Sequence, residues 1–393
     1  VLLKKTQTLA PHVHGGDTFQ LARRLGCDPS DILDMSSNVN PLGPPAGLIA
    51  YLCDRMTDIV CLPDPDALQI RRSFAERHDL PPDRVVAGNG TTQLIYALPQ
   101  ALGFGRALVL GPAYADYAQA CAMHNVPCDF LLADEASGFR HDAGVIARKI
   151  REAKPDAVFA CNPNNPTGVL TDRQMILELC DEHPGVLFVI DESYLPFVRE
   201  GESLSLISGP GMDNLLVLSS MSKIFRVPGL RIGFAAGPEP VVGLLARHVP
   251  CWSINTLAQA AVEWILDRQS EVDRFIDDSV TLVEKEQSFL TTQLAASGVV
   301  SLFPSVTSFL LGVLHSGFTS AGVCDALARD RILIRDCANF EGLSDRHIRI
   351  SLKTREHNSL LVDRLFNLCP SSLCGHEKGF QSRNEKRPFM DGN

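Results

Sequence analysis

The sequence predicts an α/β fold, with a large domain built on a mostly parallel sheet and a smaller α/β domain after it. Short, uninterrupted apolar runs alternate with helical patterns through the middle of the chain, as expected of strands covered by helices on both faces. A long helical stretch then breaks the alternation, and a second, shorter set of strand and helix patterns follows. With 393 residues, 45% hydrophobic and 21% charged, the chain is long enough to bury more than one core.

The first strand-like segment is 84–87 (RVVA), which leads into a glycine-rich turn. Segments 107–111 (ALVLG), 157–161 (AVFAC), 186–191 (VLFVID), 215–220 (LLVLSS) and 232–237 (IGFAAG) read as buried strands, because their apolar residues are consecutive rather than alternating. Between them, 91–103, 114–125 and 172–183 carry helical spacing. Residues 256–296 read as helical, with Trp264, Ile265, Phe275, Ile276 and Leu282 on buried faces. Three apolar segments, 308–314, 331–336 and 347–352, surround a helical 320–330. These patterns divide the chain into an N-terminal segment 1–44, a large domain 45–250, a linking helix with small domain 251–368, and a polar tail 369–393. The tail has no apolar periodicity and reads as disordered or loosely docked.

The net charge of −10 argues against nucleic acid and anionic membranes as partners, although a pocket can be locally basic on an acidic protein. No run of eighteen apolar residues is present, so no transmembrane helix is expected. The opening VLLKKTQTLAPHVHGG lacks the apolar core and cleavage site of a secretory signal. The 12 cysteines form no C-x-x-C pair, which favours reduced thiols in a cytoplasmic protein. Cys369, Cys374 and His376 could offer three soft ligands, but a fourth is missing and no metal site is expected.

Chemistry concentrates in four motifs. Ser220-Met221-Ser222-Lys223 sets a lysine beside hydroxyls, and Arg231 follows. A lysine that condenses with an aldehyde must be held in a dry, fixed place, and an anionic cofactor needs hydroxyls and a guanidinium nearby. Gly88-Asn89-Gly90-Thr91-Thr92 leads from a strand into a helix, where free backbone N–H groups bind phosphate. Asn165-Pro166-Thr167-Gly168 and Asp191-Glu192-Ser193-Tyr194 each follow a buried strand. Bland alternatives exist: Asp191 as a helix cap, Asn165 as a turn residue, Tyr114 as core.

The order N-P-x-G, D-x-x-Y, S-x-S-K and R resembles the fold-type I pyridoxal-phosphate enzymes of the aspartate aminotransferase superfamily, from Asn38 to Asn367. That resemblance implies a seven-stranded, mostly parallel sheet, the cofactor pyridoxal 5′-phosphate and a homodimer. It also implies that the N-terminal segment packs with the small domain beside the active site. Lys223 is then the Schiff-base lysine, and Gly90, Thr91, Thr92, Ser220, Ser222 and Arg231 surround the phosphate. Asp191 faces the ring nitrogen, Asn165 and Tyr194 face the phenolic oxygen, and Tyr114 covers the ring. One departure is Leu62, in Cys61-Leu62-Pro63-Asp64-Pro65, where the family usually has a tyrosine that reaches the partner's cofactor phosphate.

The substrate-side residues narrow the resemblance. His14-Gly15-Gly16, then Ser37, Asn38, Asn40 and Pro41, then Arg335-Asp336-Cys337-Ala338-Asn339-Phe340 and Arg349, are similar to the threonine-phosphate decarboxylases. The histidinol-phosphate aminotransferases are the sister family. Both act on small phosphorylated amino acids or amines. His14, Asn38, Asn40, Arg335 and Arg349 are therefore expected to bind substrate, since guanidinium forks suit phosphate and carboxylate alike.

Overall fold

The computed structural model describes residues 15–209 and 211–368. In chain order the first strands are β1 (Leu33–Asp34), β2 (Val85–Gly88), β3 (Ala107–Gly111), β4 (Cys128–Leu132), β5 (Ala157–Cys161), β6 (Leu187–Asp191), β7 (Leu215–Ser220) and β8 (Gly233–Ala236). They are followed by β9 (Val300–Leu302), β10 (Phe309–Leu314), β11 (Ile332–Leu333), β12 (Arg335–Asp336) and β13 (His347–Ser351).

A seven-stranded sheet has the order β2-β8-β7-β6-β5-β3-β4. The five strands from β7 to β4 run parallel, while β8 is antiparallel to both β7 and β2. The reversal at β8 follows from its connection: the link from β7 holds only the four-residue helix Met221–Ile224 and a short turn, too little to cross back over the sheet. Aliphatic strand residues and the rings of Phe159, Phe188 and Phe234 fill the core. Burial of each such ring contributes about 1.5–3 kcal/mol.

The later segments form a four-stranded antiparallel sheet, β12-β13-β10-β9. The N-terminal segment joins this region through β1, which pairs in parallel with β11. The 331–336 segment, expected as one strand, divides at Ile334 because its halves serve different partners: β11 pairs with β1 and β12 with β13. The 256–296 stretch likewise divides into helices Thr256–Leu266 and Gln269–Leu294. Arg268 breaks it by leaving helical geometry and donating to Trp264 O at 3.2 Å, its guanidinium 4.6 Å from the Trp264 ring centroid. Trp264 and Ile265 are buried; Phe275, Ile276 and Leu282 are half-buried.

Parallel strands deliver their C-terminal ends to one edge of the sheet. Tyr114 follows β3, Asn165 follows β5, Asp191 ends β6, and Lys223 follows β7. The predicted motifs therefore meet there. His14, Cys369, Cys374, His376 and the remaining tail lie outside the described residues.

Candidate active site

Lys223 occupies the helix Met221–Ile224, whose N-cap, Ser220, accepts from Ser222 N at 3.3 Å. Its backbone carbonyl accepts from Asn40 N at 3.0 Å, which ties the lysine to the N-terminal segment. Burial, then the neighbouring Arg231 and Arg349 charges, hold the amine down at about 8, while Asp191 pulls the other way. An amine so placed is available as the free base close to neutral pH.

Around it lies a pocket open to solvent, with about 510 Å³ of empty space. Gly90 opens the helix Gly90–Ala101 at φ +75°, and a Cβ there would lie 2.6 Å from Arg231 Nη2. At Gly233 a Cβ would lie 2.6 Å from Thr91 N. The two glycines thus allow a guanidinium and a helix N-terminus to meet in one cradle, with Thr92, Ser220 and Ser222 beside them. This donor set fits the phosphate of pyridoxal 5′-phosphate.

Asp191 lines the same cavity. Oδ1 accepts from Ser193 N at 2.9 Å and Oδ2 from the Tyr117 hydroxyl at 2.9 Å. Burial pushes its carboxyl up, opposed by these hydrogen bonds and by Lys223. Tyr194, also buried, accepts from Asn38 Nδ2 at 3.3 Å and packs edge-on against Phe309 at 5.0 Å. Asn165 Oδ1 accepts from Arg349 Nη1, which leaves the Asn165 Nδ2 group as a donor toward the cavity it lines. Tyr114 lines both this cavity and a second one, and meets Tyr117 edge-on at 5.8 Å.

The second cavity, also open to solvent and with about 640 Å³ of empty space, shares Tyr114, Asn165, Tyr194 and Lys223 with the first. Its lining also includes Asn38, Arg335 and Arg349. Arg349 Nη2 donates to Ser36 O at 2.7 Å, and its Nε is buried without a hydrogen-bond partner among the described residues. Arg335 Nη2 donates to Asn339 Oδ1 at 2.6 Å, and its guanidinium sits 5.3 Å from the Phe340 ring centroid. Arg335 and Arg349 are register partners across β12 and β13. Like charges opposite each other are unfavourable unless an anion lies between or beside them.

Asn40 corrects the expectation that it binds substrate. It has no exposed surface, and Nδ2 donates to Ile224 O and Ser279 Oγ, both at 2.7 Å, while Oδ1 accepts from Leu42 N at 2.9 Å. Its hydrogen-bonding groups are committed to the fold and it lines neither cavity. The cause is local: Val39 N donates to Ser37 O at 3.0 Å, a tight turn that sends Asn38 and Asn40 to different neighbours. Ser36 and Tyr117 are among the cavity-lining residues that the sequence does not mark. Ser36 meets Arg349 through its backbone carbonyl, which no side-chain pattern marks. Tyr117 belongs to none of the motifs; it lies in the first turn of the helix Asp116–Met123 and meets the Tyr114 ring edge-on.

Among the described residues no helix is long and apolar enough to cross a membrane, and no group of three or more metal-ligating side chains is present.

The model of the family described as "Aminotransferase class I and II" matches residues 30–365. Over 381 residues the chain is 30% identical to the adenosylcobalamin biosynthesis bifunctional protein CobDQ of Leptospira interrogans; 96% of this chain aligns, spanning 43% of that longer protein. It is 28% identical to the threonine-phosphate decarboxylase of Salmonella typhimurium, covering 90% of this chain and 96% of the relative. Among solved structures it is similar to a histidinol-phosphate aminotransferase from Clostridium acetobutylicum, with a TM-score of 0.77 at 26% identity, over 86% of this chain and 99% of that one.

Proposed function

The chain belongs to the class I and II aminotransferase family, and from that premise we propose that it is a threonine-phosphate decarboxylase. It has the fold-type I architecture and uses pyridoxal 5′-phosphate, as that family does. In this reading it converts L-threonine O-3-phosphate to 1-aminopropan-2-yl phosphate and carbon dioxide, a step in cobalamin biosynthesis. The observation that carries the reading is the Arg335–Arg349 pair in one cavity beside Lys223. A substrate bearing both a phosphate and a carboxylate answers two guanidiniums, whereas histidinol phosphate has no carboxylate to offer.

When bound, the cofactor supplies an electron sink for charge developing at the substrate α-carbon. The protein's own residues do the rest. Arg335 and Arg349 hold the two anions and so fix which bond at the α-carbon breaks. Asp191 provides the counter-ion for the ring nitrogen, and Tyr194 and Asn165 offer donors to the phenolic oxygen. Lys223, with its amine near neutrality, returns a proton to the α-carbon after the carboxylate leaves as carbon dioxide.

The sister reading, a histidinol-phosphate aminotransferase, is favoured by the likeness to the Clostridium acetobutylicum structure. One assay separates the two. The purified protein, given L-threonine phosphate and no 2-oxoacid, is expected to release carbon dioxide and 1-aminopropan-2-yl phosphate. Amino transfer from histidinol phosphate to 2-oxoglutarate, with no decarboxylation of threonine phosphate, would overturn the first reading. Serine phosphate is expected as a slower substrate, since one methyl group discriminates by only about 1–3 kcal/mol.

A cytoplasmic homodimer accompanies this reading. Met56, Ile59, Val60 and Leu62 are exposed apolar side chains on one short stretch, Leu62 at 74%, and a second copy would cover them.

A further inference from the structure

We propose that Tyr117 is the positioning residue for Asp191, acting through it on the ring nitrogen of the cofactor. The inference rests on the reading that the first cavity holds pyridoxal 5′-phosphate. Tyr117 lies in the first turn of the helix Asp116–Met123 and is 1% exposed. Its hydroxyl donates to Asp191 Oδ2, and Ser193 N donates to Oδ1, each at 2.9 Å.

An ionised carboxylate only accepts, and each of its oxygens has two acceptor sites. Two donors on the protein side fix the plane of the Asp191 carboxylate and leave acceptor sites for the cavity it lines. They also work against burial, which favours the protonated acid, a form that cannot serve as a counter-ion. The donor cannot swing away. Its ring stacks on Phe159 at 5.6 Å and 17° and meets Tyr114 edge-on at 5.8 Å and 83°. One side chain therefore sets the anion at the edge of the ring site together with the aromatic that is to cover its face.

The test uses the holoenzyme loaded with cofactor labelled with ¹⁵N in the ring. Tyr117→Phe keeps both ring contacts and deletes one O–H. We expect the ring-nitrogen resonance to move toward the unprotonated position, cofactor affinity to fall about tenfold, and kcat to fall about tenfold or more with KM within twofold. In an Asp191→Asn background the same substitution should add little, because the partner is already altered. Phe159→Leu, which loosens the ring but keeps the hydroxyl, should lower the melting temperature and move the nitrogen signal less than Tyr117→Phe does. Full additivity of Tyr117→Phe with Asp191→Asn, or a nitrogen signal that follows Phe159→Leu and ignores Tyr117→Phe, would reduce Tyr117 to packing and overturn the proposal. A wild-type protein with no bound cofactor signal would instead overturn the cofactor reading itself.

Discussion

Arg335 and Arg349 are register partners across two short antiparallel strands, so that two guanidiniums belong to one cavity wall. Each is steadied by a different contact, Arg335 by Asn339 and Arg349 by Asn165 and the Ser36 carbonyl. Replacing either with lysine keeps the charge and removes the fork. We expect Arg349→Lys and Arg335→Lys each to raise KM for threonine phosphate by about tenfold or more, the equivalent of one charge-assisted hydrogen bond. Absorbance of the bound cofactor should be unchanged. Steady-state kinetics and a spectrum check this, and an unaltered KM in both variants would remove the arginines from substrate binding.

The lysine prediction concerns pH. Because burial and two nearby arginines hold Lys223 down at about 8, its neutral, nucleophilic form should dominate above that pH in the cofactor-free protein. Cofactor capture, trapped by borohydride and quantified by mass spectrometry, should rise with pH through a midpoint near 8. A midpoint near the ordinary lysine value of 10.5 would contradict the burial argument. Lys223→Ala should abolish trapping and lower turnover by several orders of magnitude.

Gly90 allows a third check. Alanine there must accept φ +75°, at a strain of about 1–2 kcal/mol, and its Cβ would displace Arg231 from the cradle. We expect Gly90→Ala to weaken cofactor affinity by about tenfold or more, measured by fluorescence titration. KM should change less than affinity does.

Asn40→Ala separates structure from catalysis. It strips partners from Ile224 O, Ser279 Oγ and Leu42 N in a site without solvent. A loss of about 2–3 kcal/mol of stability is expected, seen as a melting temperature several degrees lower, with KM little altered. A large KM effect with unchanged stability would restore Asn40 to the substrate site.

The central strands were legible because their chemistry is unambiguous. Between β3 and β7 nearly every residue faces protein on both sides, so 107–111, 157–161 and 215–220 read as unbroken apolar runs. By contrast β4, at the sheet edge, is half-buried for most of its length and offers neither a continuous nor an alternating pattern. The two-residue β1 exists only through its distant partner β11, and no local signal announces it. The same division runs through the site. Lys223, Asp191, Asn165 and Arg231 carried spacing that pointed to a shared chemistry, and the sheet edge brings them together. The misread Asn40 sits two residues from Asn38, and only the turn at Val39 distinguishes their destinations. Tyr117 belongs to no motif, and only the bond from its hydroxyl to Asp191 marks it.

The bond from Arg349 to the Ser36 carbonyl spans 313 positions of sequence, and that distance orders events during synthesis. Everything that cradles the cofactor, from Gly90 to Arg231, has been translated before the strand bearing Arg349 exists. Long-range contacts of this kind form late, since the intervening chain must be closed into a loop first. We therefore expect a growing polypeptide to become able to hold its cofactor before it can choose a substrate. A ribosome-stalled chain ending between the two landmarks should capture pyridoxal 5′-phosphate yet leave threonine phosphate untouched.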